Sequence, residues 1–229
     1  MLQAGLHNLR QASVRITEVS PRDGLQHESE FVPTLRKISL INALSRTGVT
    51  EIEAGSFVSP AAIPQLADSD EVLRAIDRIP GVAYSALVPN ERGLERARAA
   101  GVDKIAVFTA ASNSFTRHNI KATVQESLVR FRPIVAAAKR DGMAVRAYLS
   151  TVVFCPYEGR IAPTQVRDVM ERLLDLAVDD ISLGETVGKA SPTDIRRLLD
   201  TVLPHVEPAR LSLHFHDTYG MAVANVLTA

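Results

Sequence analysis

Short apolar, β-branched runs recur along the chain at 14–19 (VRITEV), 49–54 (VTEIEA), 82–88 (VAYSALV), 103–109 (DKIAVFT), 144–153 (AVRAYLSTVV), 179–184 (DDISLG) and 210–216 (RLSLHFH). Their length and residue types read as strands. Between them apolar positions repeat every three to four residues, as in Leu35, Ile38, Leu40, Ile41 and Leu44, in Val124, Leu128, Phe131, Ile134 and Val135, and in Val166, Val169, Met170, Leu173 and Leu174. That spacing predicts helices whose apolar stripes face a common core. Pro33-Thr34, Ser59-Pro60, Pro163-Thr164 and Ser191-Pro192, with Asp194 in the first turn, read as helix starts, and Gly48, Gly101 and Gly142 as stops.

Strand, helix, strand in steady alternation predicts a parallel α/β fold of right-handed βαβ units. No Gly-rich phosphate loop follows the first strand, which disfavours a dinucleotide-binding sheet. A (β/α)8 TIM barrel fits better. The pattern supplies six complete βα units, a seventh strand and the start of a seventh helix at about Tyr219 to Leu227. The expectation is therefore a single incomplete barrel domain over 1–229, truncated after strand seven and the beginning of helix seven, and so open at one edge.

Composition narrows the function classes. The 229 residues are 46% hydrophobic, and 26 basic residues balance 26 acidic ones, so no net charge favours nucleic acid or an anionic membrane. No apolar run approaches the roughly 20 residues of a membrane span. Residues 1–13 contain no acid and include Arg10 and Ser13, yet they are too short and mixed for a transit peptide, leaving a cytoplasmic location as the expectation. The lone cysteine, Cys155, forms no intramolecular disulfide, fits a reducing compartment and reads as a small buried hydrophobe.

In a barrel the chemistry gathers at the C-terminal strand ends, and the unusual residues fall there: Arg22, Asp23 and Gln26 after strand one, Glu53 on strand two, Tyr148 and Ser150 on strand five, Ser182, Glu185 and Thr186 on strand six. Strand seven carries His214 and His216, two residues apart and hence on one face. Two imidazoles converging inside a barrel point to a divalent metal. Glu18, Glu51, Glu53 and Arg146 interrupt strands that should be apolar on both faces. They predict a polar layer inside the barrel, with Glu18 or Glu51 facing Arg146 beneath the metal.

Five strings, PRDGLQ (21–26), IEAGSFVSP (52–60), CPYEG (155–159), SLGETVG (182–188) and HFHDTYGMAVAN (214–225), together resemble the 3-hydroxy-3-methylglutaryl-CoA lyases. The HxHDTYG element is shared with the wider barrel superfamily of isopropylmalate and homocitrate synthases; PRDGLQ with SFVSP is more specific to the lyases. The resemblance implies cleavage of 3-hydroxy-3-methylglutaryl-CoA to acetyl-CoA and acetoacetate, a reaction of leucine catabolism and ketone-body formation. It implies Asp23, His214 and His216 as ligands of Mg2+ or Mn2+, and Arg22 as the group stabilising charge on the thioester. It further implies His214 or Glu185 as the base, with Gln26, Glu53, Tyr148, Ser150, Ser182 and Thr186 lining the pocket of an acyl-CoA substrate. A homodimer is implied as well. Glu185 stands where the family usually has aspartate, and His27 where asparagine is common. The family's fourth metal ligand, an asparagine, and its Gly-rich loop with a catalytic cysteine belong to a region beyond strand seven; Cys155 matches a different position. The alternatives are a Claisen-type synthase or aldolase of the same superfamily, and an inactive metal-binding fragment.

Overall fold

A computed structural model describes residues 14–229; the stretch 1–13, read above as too short and mixed for a transit peptide, lies outside the described residues. Seven strands form one parallel sheet: β1 (Thr17–Glu18), β2 (Glu51–Ser56), β3 (Ala83–Leu87), β4 (Lys104–Ala110), β5 (Ala144–Ser150), β8 (Asp180–Glu185) and β9 (Leu211–Phe215), each hydrogen-bonded to the next in that order. The strands β6 (Phe154–Cys155) and β7 (Gly159–Arg160) form a separate antiparallel hairpin above β5. The helices are α1 (Thr34–Leu44), α2 (Ser69–Ala75), α3 (Glu91–Ala99), α4 (Asn113–Ile120), α5 (Val124–Arg140), α6 (Pro163–Leu174), α7 (Pro192–Val202) and α8 (Ala222–Thr228).

Several boundaries follow from local chemistry. Ser191 and Asp194 cap α7 reciprocally, and Thr123 with Glu126 does the same for α5. The stop residues Gly48, Gly101 and Gly142 adopt φ of 92°, 67° and 74°, values an L side chain resists. Ser59-Pro60 does not open a helix. The chain makes turns there and α2 begins only at Ser69, because Pro64 starts a short 3-10 turn first.

The sheet curls. In a flat sheet β1 and β5 would lie four strand spacings apart, about 19 Å, yet Arg146 Nη1 on β5 lies 3.3 Å from Thr17 Oγ1 on β1. Ile52, Ile105, Val107, Val145, Ile181 and Leu183 face outward into the core shared with the helices. Met170, Leu173 and Cys155 lie in that core as expected.

The inner face carries the charges. Lys104 Nζ contacts Glu51 (3.0 Å) and Asp180 (2.5 Å), while Arg146 contacts Glu51 (2.8 Å) and Asp180 (2.5 Å). Two cations and two anions thus close a neutral ring from four strands across the barrel interior. The carboxylates outweigh the effect of burial and hold the Arg146 guanidinium more strongly protonated than usual. Of the two acids expected to face Arg146, only Glu51 does so; Glu18 instead accepts the Ser20 N–H at 2.8 Å, since β1 ends there and the chain turns. An Arg146→Met variant is expected to lose about 2–4 kcal/mol, read as a lowered urea midpoint, because it strands two half-buried carboxylates on one lysine. A variant as stable as the parent would remove the ring from the account of the fold.

Candidate functional site

One layer above the charged ring, at the C-terminal strand ends, the residues from the two ends of the chain meet. After β1 the backbone enters a single π-helical turn, Ser20–Gly24, with Pro21 in its first positions. This turn drives Arg22 inward, where it is 7% exposed. Its Nε donates to Glu53 Oε1, its Nη1 donates to Asp23 Oδ1 at 2.5 Å, and its guanidinium carbon lies 5.5 Å from the Tyr148 ring centre. Tyr148 in turn donates its hydroxyl to Glu53 Oε2 at 2.7 Å. Glu53, fully buried, is therefore shared between a guanidinium and a phenol. Burial alone would lower the Arg22 pKa, but Glu53 and Asp23 raise it above the ordinary range. Burial and then Glu53 push the Tyr148 hydroxyl upward, so it stays a donor.

Beside this group stands the imidazole pair. Gly184 registers against His214 and Glu185 against Phe215, so His214 shares the inner face of the sheet with Gly184. The rings of His214 and His216 are 5.1 Å apart between centres. One ligand atom from each of Asp23, His214 and His216 lies within 4.8 Å of the others. His214 Nε2 and Asp23 Oδ2 are 3.8 Å apart, beyond hydrogen-bond distance. Donors that converge without bonding one another, mixing carboxylate and imidazole, fit a divalent ion. Burial lowers the His214 pKa, partly offset by Asp23, which favours the neutral, ligating form.

The remaining expected residues divide. Ser182 is buried next to Tyr148 in the ladder, and Ser150 is half-buried beside Gly184. Gln26 is half-buried just past the Arg22 turn. Thr186 holds the loop: its Oγ1 accepts the Thr151 N–H at 2.9 Å and donates to the Gly184 carbonyl at 3.3 Å. Glu185 lies on the opposite pleat face from His214, level with Phe215, which packs on the outer core. It is fully buried, its Oε1 accepts the Lys189 N–H at 3.3 Å, and burial holds its carboxyl above the ordinary range. Its backbone carbonyl accepts the His216 N–H at 3.4 Å, so it braces the site from behind.

That brace includes a close approach. Gly188 has φ of 75°, and a Cβ there would meet Thr218 Cβ at 2.7 Å and its backbone N at 2.8 Å. Gly188→Ala is expected to cost about 1–3 kcal/mol in a denaturant titration and to weaken Mn2+ binding, since Thr218 follows His216 by two residues. Unchanged stability and affinity would show that the loop moves freely.

Sequence reasoning missed an inner apolar wall. Leu87, Ala106 and Tyr148 form a small buried cluster apart from the main core, with half-buried Val58 and Phe108 packed on it. The signal was Lys104: a charge at the start of β4 marks the inner face and, at a period of two, puts Ala106 and Phe108 beside it.

A profile of the HMGL-like family matches residues 13–229. The cytoplasmic 3-hydroxy-3-methylglutaryl-CoA lyase of Mus musculus is 48% identical over 216 residues, 94% of this chain and 63% of the mouse protein. The chain thus spans less than two thirds of that curated relative. The crystal structure of the HMG-CoA lyase from Brucella melitensis superposes with a TM-score of 0.93 at 49% identity, covering 94% of this chain and 76% of the other. An HMG-CoA lyase from Acinetobacter baumannii, solved in complex with coenzyme A and 3-methylmalate, superposes with a TM-score of 0.90 at 40% identity, covering 94% and 70%. The seven-stranded curled sheet is therefore the strand 1–7 portion of the barrel in these structures.

Proposed function

The chain belongs to the HMGL-like family, and from that membership we propose that it carries the catalytic machinery of a carbon–carbon lyase that cleaves 3-hydroxy-3-methylglutaryl-CoA to acetyl-CoA and acetoacetate. The observation that carries the reading is the contact between Arg22 and Asp23, which joins the convergent Asp23, His214 and His216 donors to a buried guanidinium. An acyl-CoA substrate is supported by the coenzyme A bound in the Acinetobacter relative.

Cleavage requires the C3 hydroxyl to lose its proton as the C2–C3 bond breaks, its electrons passing into an enolate on the thioester, which then takes a proton at C2. Asp23, His214 and His216 would hold Mg2+ or Mn2+, which supplies Lewis-acid polarisation of the hydroxyl and carboxylate oxygens. With Nε and Nη1 of Arg22 committed to Glu53 and Asp23, its Nη2 hydrogens remain for the thioester carbonyl. A donor already fixed where charge develops does not reorganise during the step, which is why it lowers the barrier. Glu53 and Tyr148 fix that donor. Pleat parity puts His214, not Glu185, on the face of the site. Since a neutral imidazole that ligates through one nitrogen carries a proton on the other, the hydroxyl proton would leave to solvent beside His214 and the enolate would recover one there. Ser150, Ser182 and Gln26 border the same mouth and would contact the acyl group.

Incubating the protein with 3-hydroxy-3-methylglutaryl-CoA and Mn2+ or Mg2+ tests the proposal. Equal amounts of acetyl-CoA and acetoacetate are expected, abolished by a chelator and restored by metal. Mn2+ binding with no product would sink it and leave a metal-binding fragment; acyl transfer to a 2-oxo acid would instead point to a synthase. Among the described residues no helix is long and apolar enough to cross a membrane.

A further inference from the structure

The apolar wall on the inner face is not consumed by the residues that hold charge. Along β4, Ile105 and Val107 enter the main core on the outer side, whereas Ala106 and Phe108 turn inward with Leu87 and Tyr148. Tyr148 belongs to both groups: its hydroxyl is bound to Glu53, while its ring lies under Arg22 and against this cluster. The guanidinium thus stands between Asp23 and the wall, one Arg22 nitrogen touching Asp23 and its central carbon 5.5 Å from the Tyr148 ring centre. Below the wall lies the ring of Glu51, Lys104, Arg146 and Asp180, so a ligand group cannot pass deeper without meeting charge. Val58 and Phe108 are only half-buried, so part of this apolar cluster is left uncovered, and the Phe108 ring also lies 6.3 Å from that of Phe131 on α5, which limits how far it can turn.

We propose that Phe108 and Val58 select the substituent on C3 of the substrate, receiving its methyl group and limiting its size. The inference rests on the cleavage reading above. In that reading the hydroxyl and carboxylate are held on the Asp23 side and the thioester at Arg22. The remaining substituent on C3 is uncharged, donates nothing, and is best matched by a dry apolar surface. One methylene more or less in such a pocket changes kcat/KM by about 10- to 200-fold.

The test compares three substrates that differ only there: 3-hydroxyglutaryl-CoA, its 3-methyl form and its 3-ethyl form. Phe108→Ala is expected to raise the ethyl-to-methyl ratio of kcat/KM by about tenfold or more, and Val58→Phe to lower the methyl-to-hydrogen ratio by a similar factor. Val58 is half-exposed, so its variant carries the test even where Phe108→Ala fails to fold. Ratios within twofold of the parent, with all rates falling together, would overturn the assignment. Where the parent cleaves none of the three, the lyase reading has failed, and the same ratios are read from calorimetric affinities of the three free hydroxy acids in the presence of Mn2+. Shifted affinity ratios then uphold the wall as a selector; equal affinities, or no binding, dismiss it.

Discussion

Arg22→Lys is expected to reduce kcat for 3-hydroxy-3-methylglutaryl-CoA cleavage by about 10²- to 10³-fold, the cost of removing one fixed donor from developing oxyanion charge. Lysine keeps the positive charge beside Glu53 and Asp23 but replaces a planar fork with a single ammonium. It cannot engage Glu53, Asp23 and a substrate carbonyl along three fixed directions as the guanidinium does. Mn2+ affinity should change by less than about tenfold, because Asp23 remains beside the imidazoles and Arg22 acts on it only as a supporting residue. Steady-state kinetics and a Mn2+ titration on the same preparation separate the two effects. Unchanged turnover would remove Arg22 from the chemistry, and equal loss of turnover and metal would make it merely a prop for Asp23.

His216→Ala is expected to weaken Mn2+ binding by at least about 100-fold, because even residues that only support a ligand account for 10- to 100-fold. Turnover should fall with it at limiting metal. The parent has an independent readout: Mn2+ at about 100 times its Kd adds roughly 2.7 kcal/mol of stability, a gain the variant should lose at the same concentration. A variant with parental affinity would mean that the three donors within 4.8 Å are not a metal centre.

Much of the scaffold is legible along the chain, since strand and helix periods are local properties. The run at 103–109 becomes β4 at Lys104–Ala110, and Ser191-Pro192 with Asp194 becomes the capped start of α7. Expectation and structure part where distant contacts compete with local ones. The run predicted to extend to Val153 ends at Ser150, since Thr151 takes a left-handed conformation, φ 58°, while its N–H bonds Thr186. Glu18 was an equal candidate with Glu51 for facing Arg146, and only the early end of β1 separated them.

The site shows the same division. The sequence alone determined which residue types could bind metal or stabilise an anion, because an HxH pair on a strand shares a face whatever surrounds it. Only the tertiary structure could decide that Glu53 is shared between Arg22 and Tyr148, that Glu185 turns outward, and that Phe108 completes an apolar wall. Those outcomes depend on register and on the curl of the sheet, which juxtaposes side chains more than 100 residues apart. A period of two tells which residues share a face; closure of the strands around an axis decides what each face meets.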